Sequence, residues 1–389
     1  MASGRSIPTV NRISDLPDSI ISHIISFLPI KFAATTCILS KRWKLVWLYV
    51  LILNFDDKAF NNFATFRKFV YSTMFSLRDK NTSIQSFTLK LGSSCRFQQR
   101  ELNRILKFVM QRGVKNLNFD MFGRHCYIKL PPRILSCKTL QIIKLVNIKM
   151  WDFDQVNFPC LKILHLDSVD FTSPKYFVKF LYGCPILEEL NATSHIYQES
   201  LVLENLNALP NLVKVRTYYD MDNLMTLVCK AKILHISQIH GMTWKTLPLF
   251  HNLTHMLLDS FHSSSRERRD CRSLVEILPH FPNLQYFEIW FKFSNFPGKI
   301  ICSECLMVPP NPTIAPECLL SQLKSFSIKG YTGRECEFNF VKYIMHHSKV
   351  LETMSVRKST LSTCLEKEQM LIKLSSCTRS STNCKLIFG

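Results

Sequence analysis

Few side chains in this 389-residue chain combine the type and spacing that chemistry needs. Cys302 and Cys305 have the Cys-x-x-Cys spacing that opens a zinc site, with Cys318 and Cys336 downstream as the remaining candidates. No second Cys-x-x-Cys follows, so we read a loop with free thiols and expect no metal. His165, His235 and His255 fall singly, with no Gly-x-Ser-x-Gly nucleophile elbow beside them, which gives an enzyme no support and leaves no catalytic residue to name. Ten glycines, with neither Gly-x-Gly-x-x-Gly nor Gly-x-x-x-x-Gly-Lys among them, leave nucleotide chemistry without a phosphate loop, and no cofactor is expected. The side chains that remain are those that hold a partner: Lys214, Arg216, Tyr218, His235, His255, Tyr286 and Trp290, basic and aromatic residues of the kinds that anchor interfaces.

A repeat must position them. Leu161 to Leu166, Leu-Lys-Ile-Leu-His-Leu, sets a frame Leu-x-x-Leu-x-Leu. The frame returns with conservative replacements from Ile84, Val114, Leu140, Leu187, Leu212, Leu253, Leu284, Leu323 and Leu351, and more weakly from Ala231. The starts from 114 to 212 advance by 21 to 26 residues, the interval of leucine-rich repeats with one strand and one return per turn. Side chains alternate along a strand, so the fourth and sixth positions point into a shared core and the third, fifth and seventh face out. Return segments read as helical: Tyr176, Phe177, Phe180 and Leu181 recur at one-turn spacing before Gly183 and Pro185 stop them. The expected fold is an α/β leucine-rich-repeat solenoid, with parallel strands on the concave face and helices or irregular returns on the convex one, each turn stabilised by its neighbours. The ninth frame position is Ile148, Val169, His195, Asp220 or Phe261, so no polar ladder runs along the turns.

The outward positions of four successive turns are Lys214, Arg216 and Tyr218; Ile233, His235 and Ser237; His255, Leu257 and Asp259; Tyr286, Glu288 and Trp290. This patch is expected to receive an acidic or phosphorylated segment of another protein; an ordinary polar strand face with a few aromatics is the competing reading. The net charge of +20, from 49 Lys and Arg against 29 Asp and Glu, favours acidic partners. The basic residues are spread along the chain rather than clustered, so nucleic acid is not expected as a partner. Fifteen cysteines, an odd number scattered singly apart from the one pair, suit a reducing compartment and read as buried thiols, among them Cys37, Cys160 and Cys184. No signal peptide and no span of eighteen apolar residues is present, so a membrane is not expected as a partner.

Ahead of the repeats, Pro17 and Asp18 suit a helix start, and Ile20, Ile21, Ile24, Ile25 and Leu28 form an apolar stripe before Pro29. A second helix is expected from about Phe32 to Leu39, and Ser40 reads as the N-cap of a third that carries Trp43, Val46 and Trp47. So short a unit cannot close a good core alone and leaves apolar surface for a partner. From Phe60 to Leu77 the apolar residues Phe63, Phe66, Val70, Met74 and Leu77 mark a linking helix.

The runs Ile13-Ser14-Asp15-Leu16-Pro17-Asp18, Ile24-Ile25-Ser26-Phe27-Leu28-Pro29, Leu39-Ser40-Lys41-Arg42-Trp43-Lys44 and Leu53-Asn54-Phe55-Asp56 closely resemble the F-box of plant F-box proteins. Two departures are visible: relatives commonly read Pro-Thr-Lys-Asp where this chain has Pro29-Ile30-Lys31-Phe32, and losing an Asp cap costs about 1 kcal/mol. Leu130-Pro131-Pro132, Cys137-Lys138-Thr139-Leu140 and Gly183-Cys184-Pro185-Ile186-Leu187-Glu188 resemble the diverged repeats of the same family. The segments Leu319 to Ser325, Ile328-Lys329-Gly330-Tyr331, Val341-Lys342-Tyr343, Ser348 to Glu352 and Ser380 to Lys385 are similar to the FBD domain that closes many of these proteins.

Residues 1–10 have no periodicity and read as a mobile arm, and the linking helix falls within 59–80; the resemblance implies an F-box at 11–58, leucine-rich repeats at 81–310 and an FBD at 311–389 that continues and closes the solenoid. It implies docking on a Skp-type adaptor, and through it on a cullin-RING ubiquitin ligase, with Leu16, Pro17, Ile20, Ile24, Leu28, Pro29, Leu39 and Trp43 forming or supporting the adaptor face. The repeats would then hold a protein substrate, and the chain would reside in the nucleus, the cytoplasm or both. The alternatives are a non-catalytic binding module or a small-anion receptor outside any ligase, with the N-terminal helices serving only as an end cap.

Overall fold

The computed structural model describes residues 13, 15–46, 51–77, 83–92, 97–121, 130–131, 133–193, 206–217, 225–237, 247–262, 271–292, 315–359 and 364–389. The expected arm at 1–10, Trp47, His195, Tyr218, Asp220, the Cys302 and Cys305 pair and most of the loops at 262–270 and 309–316 lie outside those residues. The chain forms two compact units, Met1–Leu161 with Ser168–Thr172, and Lys162–Asp167 with Ser173–Gly389.

The first unit opens with helices α1 (Asp18–Ser26), α2 (Ile30–Thr35) and α3 (Lys41–Val46). Ser40 caps α3, its Oγ accepting the Trp43 N–H at 3.2 Å, as its position in the sequence predicts. The second helix starts two residues earlier than expected and tightens into a 3-10 turn at Thr36–Ile38, with no side chain capping its start at Pro29. There follow β1 (Ile52–Asp56), α4 (Phe63–Ser76), β2 (Ser86–Leu91), α5 (Gln99–Gln111), β3 (Asn116–Met121), β4 (Ile142–Val146) and the short strands β5 (Lys149–Met150) and β7 (Asp170–Phe171). Strands β1 to β4 pair parallel in sequence order, and β5 pairs with β7. Their register stacks Leu53, Phe87, Leu117 and Ile143 in one column and Phe55, Leu89, Phe119 and Leu145 in a second, all buried. Ile148 and Val169, at ninth frame positions, are buried too, each preceded by a residue with positive φ, Asn147 or Ser168.

The second unit contains β6 (Ile163–Asp167), α6 (Pro174–Tyr182), β8 (Glu189–Thr193), β9 (Lys214–Thr217), α7 (Met225–Val228), β10 (Ile233–Ser237), β11 (His255–His262), α8 (Cys271–Ile277) and β12 (Tyr286–Lys292). It ends with α9 (Glu317–Ser321), β13 (Ser325–Tyr331), α10 (Glu335–His347), β14 (Thr353–Lys358), α11 (Cys364–Ser375) and β15 (Lys385–Phe388). Its strands run parallel in the order β6-β8-β9-β10-β11-β12-β13-β14-β15. Fourth frame positions from Leu164 to Met354 form one buried column and sixth positions from Leu166 to Val356 another. Helices cover this buried face: Phe340 of α10 packs edge-on against Phe326 of β13 at 5.8 Å. The α/β class and the parallel repeat sheet are therefore as the frame predicts.

Two expectations fail locally. The seventh positions Ser237 and Asp259 are buried rather than exposed: on the outward side, Asp259 brings its carboxylate to within 3.8 Å of His235 and Ser237 Oγ meets the same ring at 3.2 Å. Cys160 is exposed, because it lies in the turn before β6 rather than on an inward position, and Cys37 is only half-buried.

Candidate functional site

The outward third and fifth positions of the second unit form two rows across the strands. Paired register sets Glu189, Lys214, Ile233, His255, Tyr286 and Ser325 side by side in the first row. The second row runs His165, Asn191, Arg216, His235, Leu257, Glu288 and Ser327. Together these residues line a groove of about 710 Å³, a volume in the range of ligand sites.

Its centre is apolar. The His255 and Tyr286 rings stack at 4.3 Å and 14°, beside Ile233 and Leu257. Its charges are largely neutralised. Glu189 faces His165 at 3.2 Å and Lys214 at 3.4 Å. Burial pushes its carboxyl up, but the bonds from His165 and Lys214 outweigh this and hold it below the ordinary value. Glu288 pairs with Lys329 at 2.5 Å and accepts from Trp290 Nε1. Burial first, and then the Arg216 cation, lower His235, against the upward pull of Asp259 and Glu288. The imidazole is therefore neutral at pH 7 and its approach to Asp259 is not an ion pair. Among the described residues, Arg216, exposed on β9, makes no ion pair.

Of the expected contact residues, Lys214, Arg216, His235, His255 and Tyr286 line one groove. Trp290 does not: Lys329 lies 4.2 Å from its ring centroid, and Glu288 takes its N–H. Tyr218 lies outside the described residues. Residues missed in the sequence are His165, Glu189, Asn191, Ser325 and Ser327, together with Glu288, whose position was read but not selected. All occupy third or fifth frame positions, so the signal was present in the same frame, within the turns read or one to two turns beyond them. Among the described residues no group of three or more His, Cys, Asp or Glu is placed to hold a metal. Cys318, one of the two downstream ligand candidates, is buried and donates to the Leu278 carbonyl at 3.7 Å, and burial pushes its thiol to about 12.

The N-terminal helices present a different surface. In α1, Ile21 and Ile25 are fully buried while Ile20 and Ile24, and Phe27 and Leu28 just after it, are exposed, so the predicted stripe has two faces. Leu39, Pro17 and Pro29 are exposed; Leu16 is half-buried. Trp43 is buried. Arg42 ties the unit together by donating Nε to Asp18 at 2.8 Å and Nη2 to the Leu16 carbonyl. Phe27 at 76% and Ile38 at 82% are the most exposed large apolar side chains here, and were not selected from the sequence.

Comparison with known proteins assigns these parts. Residues 13–54 match the F-box domain, residues 102–214 match the LRR repeats of FBD-associated F-box protein At5g56370, and residues 311–356 match FBD. The chain has the domain content of a plant F-box/FBD/LRR-repeat protein. It is 27% identical to F-box/FBD/LRR-repeat protein At4g26340 of Arabidopsis thaliana, a match that covers 97% of this chain and all of that protein. It is 26% identical to FBD-associated F-box protein At5g56370 of the same plant, over 98% of this chain and all of that protein. An F-box implies adaptor binding, and leucine-rich repeats imply protein-protein interaction. Among the described residues, no helix is long and apolar enough to cross a membrane.

Proposed function

We propose that this chain is the substrate-recognition subunit of a Skp-cullin-F-box ubiquitin ligase. The N-terminal helices dock on the Skp-type adaptor, and the outward face of the repeat sheet holds the protein to be ubiquitinated. The observation that carries this reading is the exposed apolar row Ile20, Ile24 and Phe27 along the first helix, whose Ile21 and Ile25 are buried, together with the exposed Leu28, Ile38 and Leu39. Exposed apolar patches of this kind mark interaction surfaces, and the F-box match covers the same residues. The chain does no chemistry in this reading; it brings client and ligase together, in the nucleus or cytoplasm where ubiquitin ligases of this class work. A small-anion receptor has less support, because Glu189 and Glu288 line the groove alongside its cations.

The test is co-purification of the full chain with a Skp-type adaptor, beside a Leu16→Ala, Pro17→Ala, Ile24→Ala variant. Retention by the parent and loss by the folded variant supports the reading. Absence of the adaptor from both, with both folded, reduces the helices to an end cap.

A further inference from the structure

Strand β13 falls inside the segment matched by FBD, residues 311–356, yet its Ser325 and Ser327 line the same groove as Arg216 and Tyr286. The pairing is direct: Ser325 is opposite Tyr286 and Ser327 opposite Glu288. Among the described residues neither hydroxyl makes a hydrogen bond, and both are half-buried, so each can bond to an occupant.

Across the strands the groove has an order. Among the described residues, Arg216 on β9 is a cation without an ion pair; an apolar platform of Ile233, Leu257 and the stacked His255 and Tyr286 follows on β10 to β12; and the two hydroxyls of Ser325 and Ser327, without hydrogen bonds to described residues, stand on β13. With strands about 4.8 Å apart, the cation is about 10–14 Å from the platform's far half and about 19 Å from the hydroxyls. An extended chain advances about 3.3 Å per residue, so these distances correspond to about three to four and about six residues.

We propose that the FBD forms one wall of the client groove, and that the groove reads an extended acidic peptide laid across the strands. An Asp or Glu of the peptide meets Arg216, an aromatic or large aliphatic side chain three to four residues on lies over His255 and Tyr286, and a polar residue beyond it bonds Ser325 and Ser327. The charge of Arg216 chooses the acid, since every carboxylate lining the groove already has a partner. This rests on the reading of the sheet as the client site and adds to it the sequence pattern of the client and a role for the FBD.

A display library of random 12-residue peptides, selected on the full-length protein, tests it. The parent should enrich peptides with an acidic residue three to four positions from an aromatic or large aliphatic one. Arg216→Glu should weaken their binding by about tenfold or more. Ser325→Val with Ser327→Val, substitutions suited to a strand, should abolish the preference for a polar residue at the far position while keeping the acid and apolar spacing. Thermal melts of each variant control for folding. Peptides that depend on Arg216 but keep every positional preference in the double Val variant would overturn the FBD wall and leave the client site standing. Peptides indifferent to Arg216→Glu, or no enrichment at all, would overturn both.

Discussion

His255 and Tyr286, directly paired on β11 and β12, stack their rings nearly parallel at 4.3 Å on the outward face of the sheet. Stacked rings on neighbouring rigid strands are pre-ordered, so a partner that lies over them orders little else on binding. Tyr286 is 42% exposed and its loss opens no cavity in the core. Tyr286→Ala should therefore weaken client binding by about tenfold, with a thermal midpoint close to that of the parent. Fluorescence anisotropy with a selected peptide, beside a melt, separates the two effects.

Glu337 near the start of α10 is buried, and accepts from the Thr332 and Gly333 backbone N–H groups and the Thr332 hydroxyl. Burial outweighs these bonds and raises its carboxyl to about 7, from an ordinary 4.5. A raised folded value means that protonation favours the fold. This contribution is complete below the ordinary value and is lost as pH rises through about 7, by roughly 3 kcal/mol in all. Glu337→Gln keeps the acceptor for the two backbone groups and cannot ionise. Its urea midpoint should lack the decline shown by the parent across that interval and exceed the parent's at pH 8.

Glu101 shows the opposite sign. It closes the capping box at the start of α5 by accepting the Gln98 N–H at 2.9 Å, and pairs with Arg67 of α4. Burial pushes its carboxyl up, but the Gln98 and Arg67 bonds prevail and hold it below 4.5. Its stabilisation is present above the ordinary value and is lost as pH falls through the lowered one. Glu101→Gln should lower stability at pH 7 by about 2 kcal/mol and flatten the acid limb of the pH profile, measured by denaturant unfolding.

Gly330 has φ +77, at the register shift between Lys329 and Tyr331 in β13. A Cβ built there would stand 2.2 Å from the Phe291 carbonyl oxygen. Gly330→Ala combines a left-handed backbone with a clash against main chain, so it should cost more than about 2 kcal/mol. A thermal midpoint within a degree of the parent would refute this.

The core was legible because a period of two leaves little freedom: every fourth and sixth frame position from Phe87 to Val356 took the inward place, all of them buried. The outward face was only partly legible. Trp290 has the type of an anchor, but Lys329 on the neighbouring strand occupies its ring, a pairing visible only once the strands are in register. Ser325 and Ser327 were passed over because small hydroxyls carry no signal by type. In α1, Ile20, Ile21, Ile24 and Ile25 share one helical stripe in the sequence. Which pair is buried depends on how three short helices pack, and spacing alone does not decide that.

Calorimetric titration of a purified Skp-type adaptor into the full-length protein shows whether the exposed apolar row along α1 is an adaptor face. Three proteins are compared: the parent, Ile24→Asp with Phe27→Asp on that row, and Ile372→Asp on the exposed surface of α11 as a control. If the row is the adaptor face, the parent and the control bind saturably one-to-one and the double variant does not bind. No heat from the folded parent, or undiminished binding by the double variant, would contradict it.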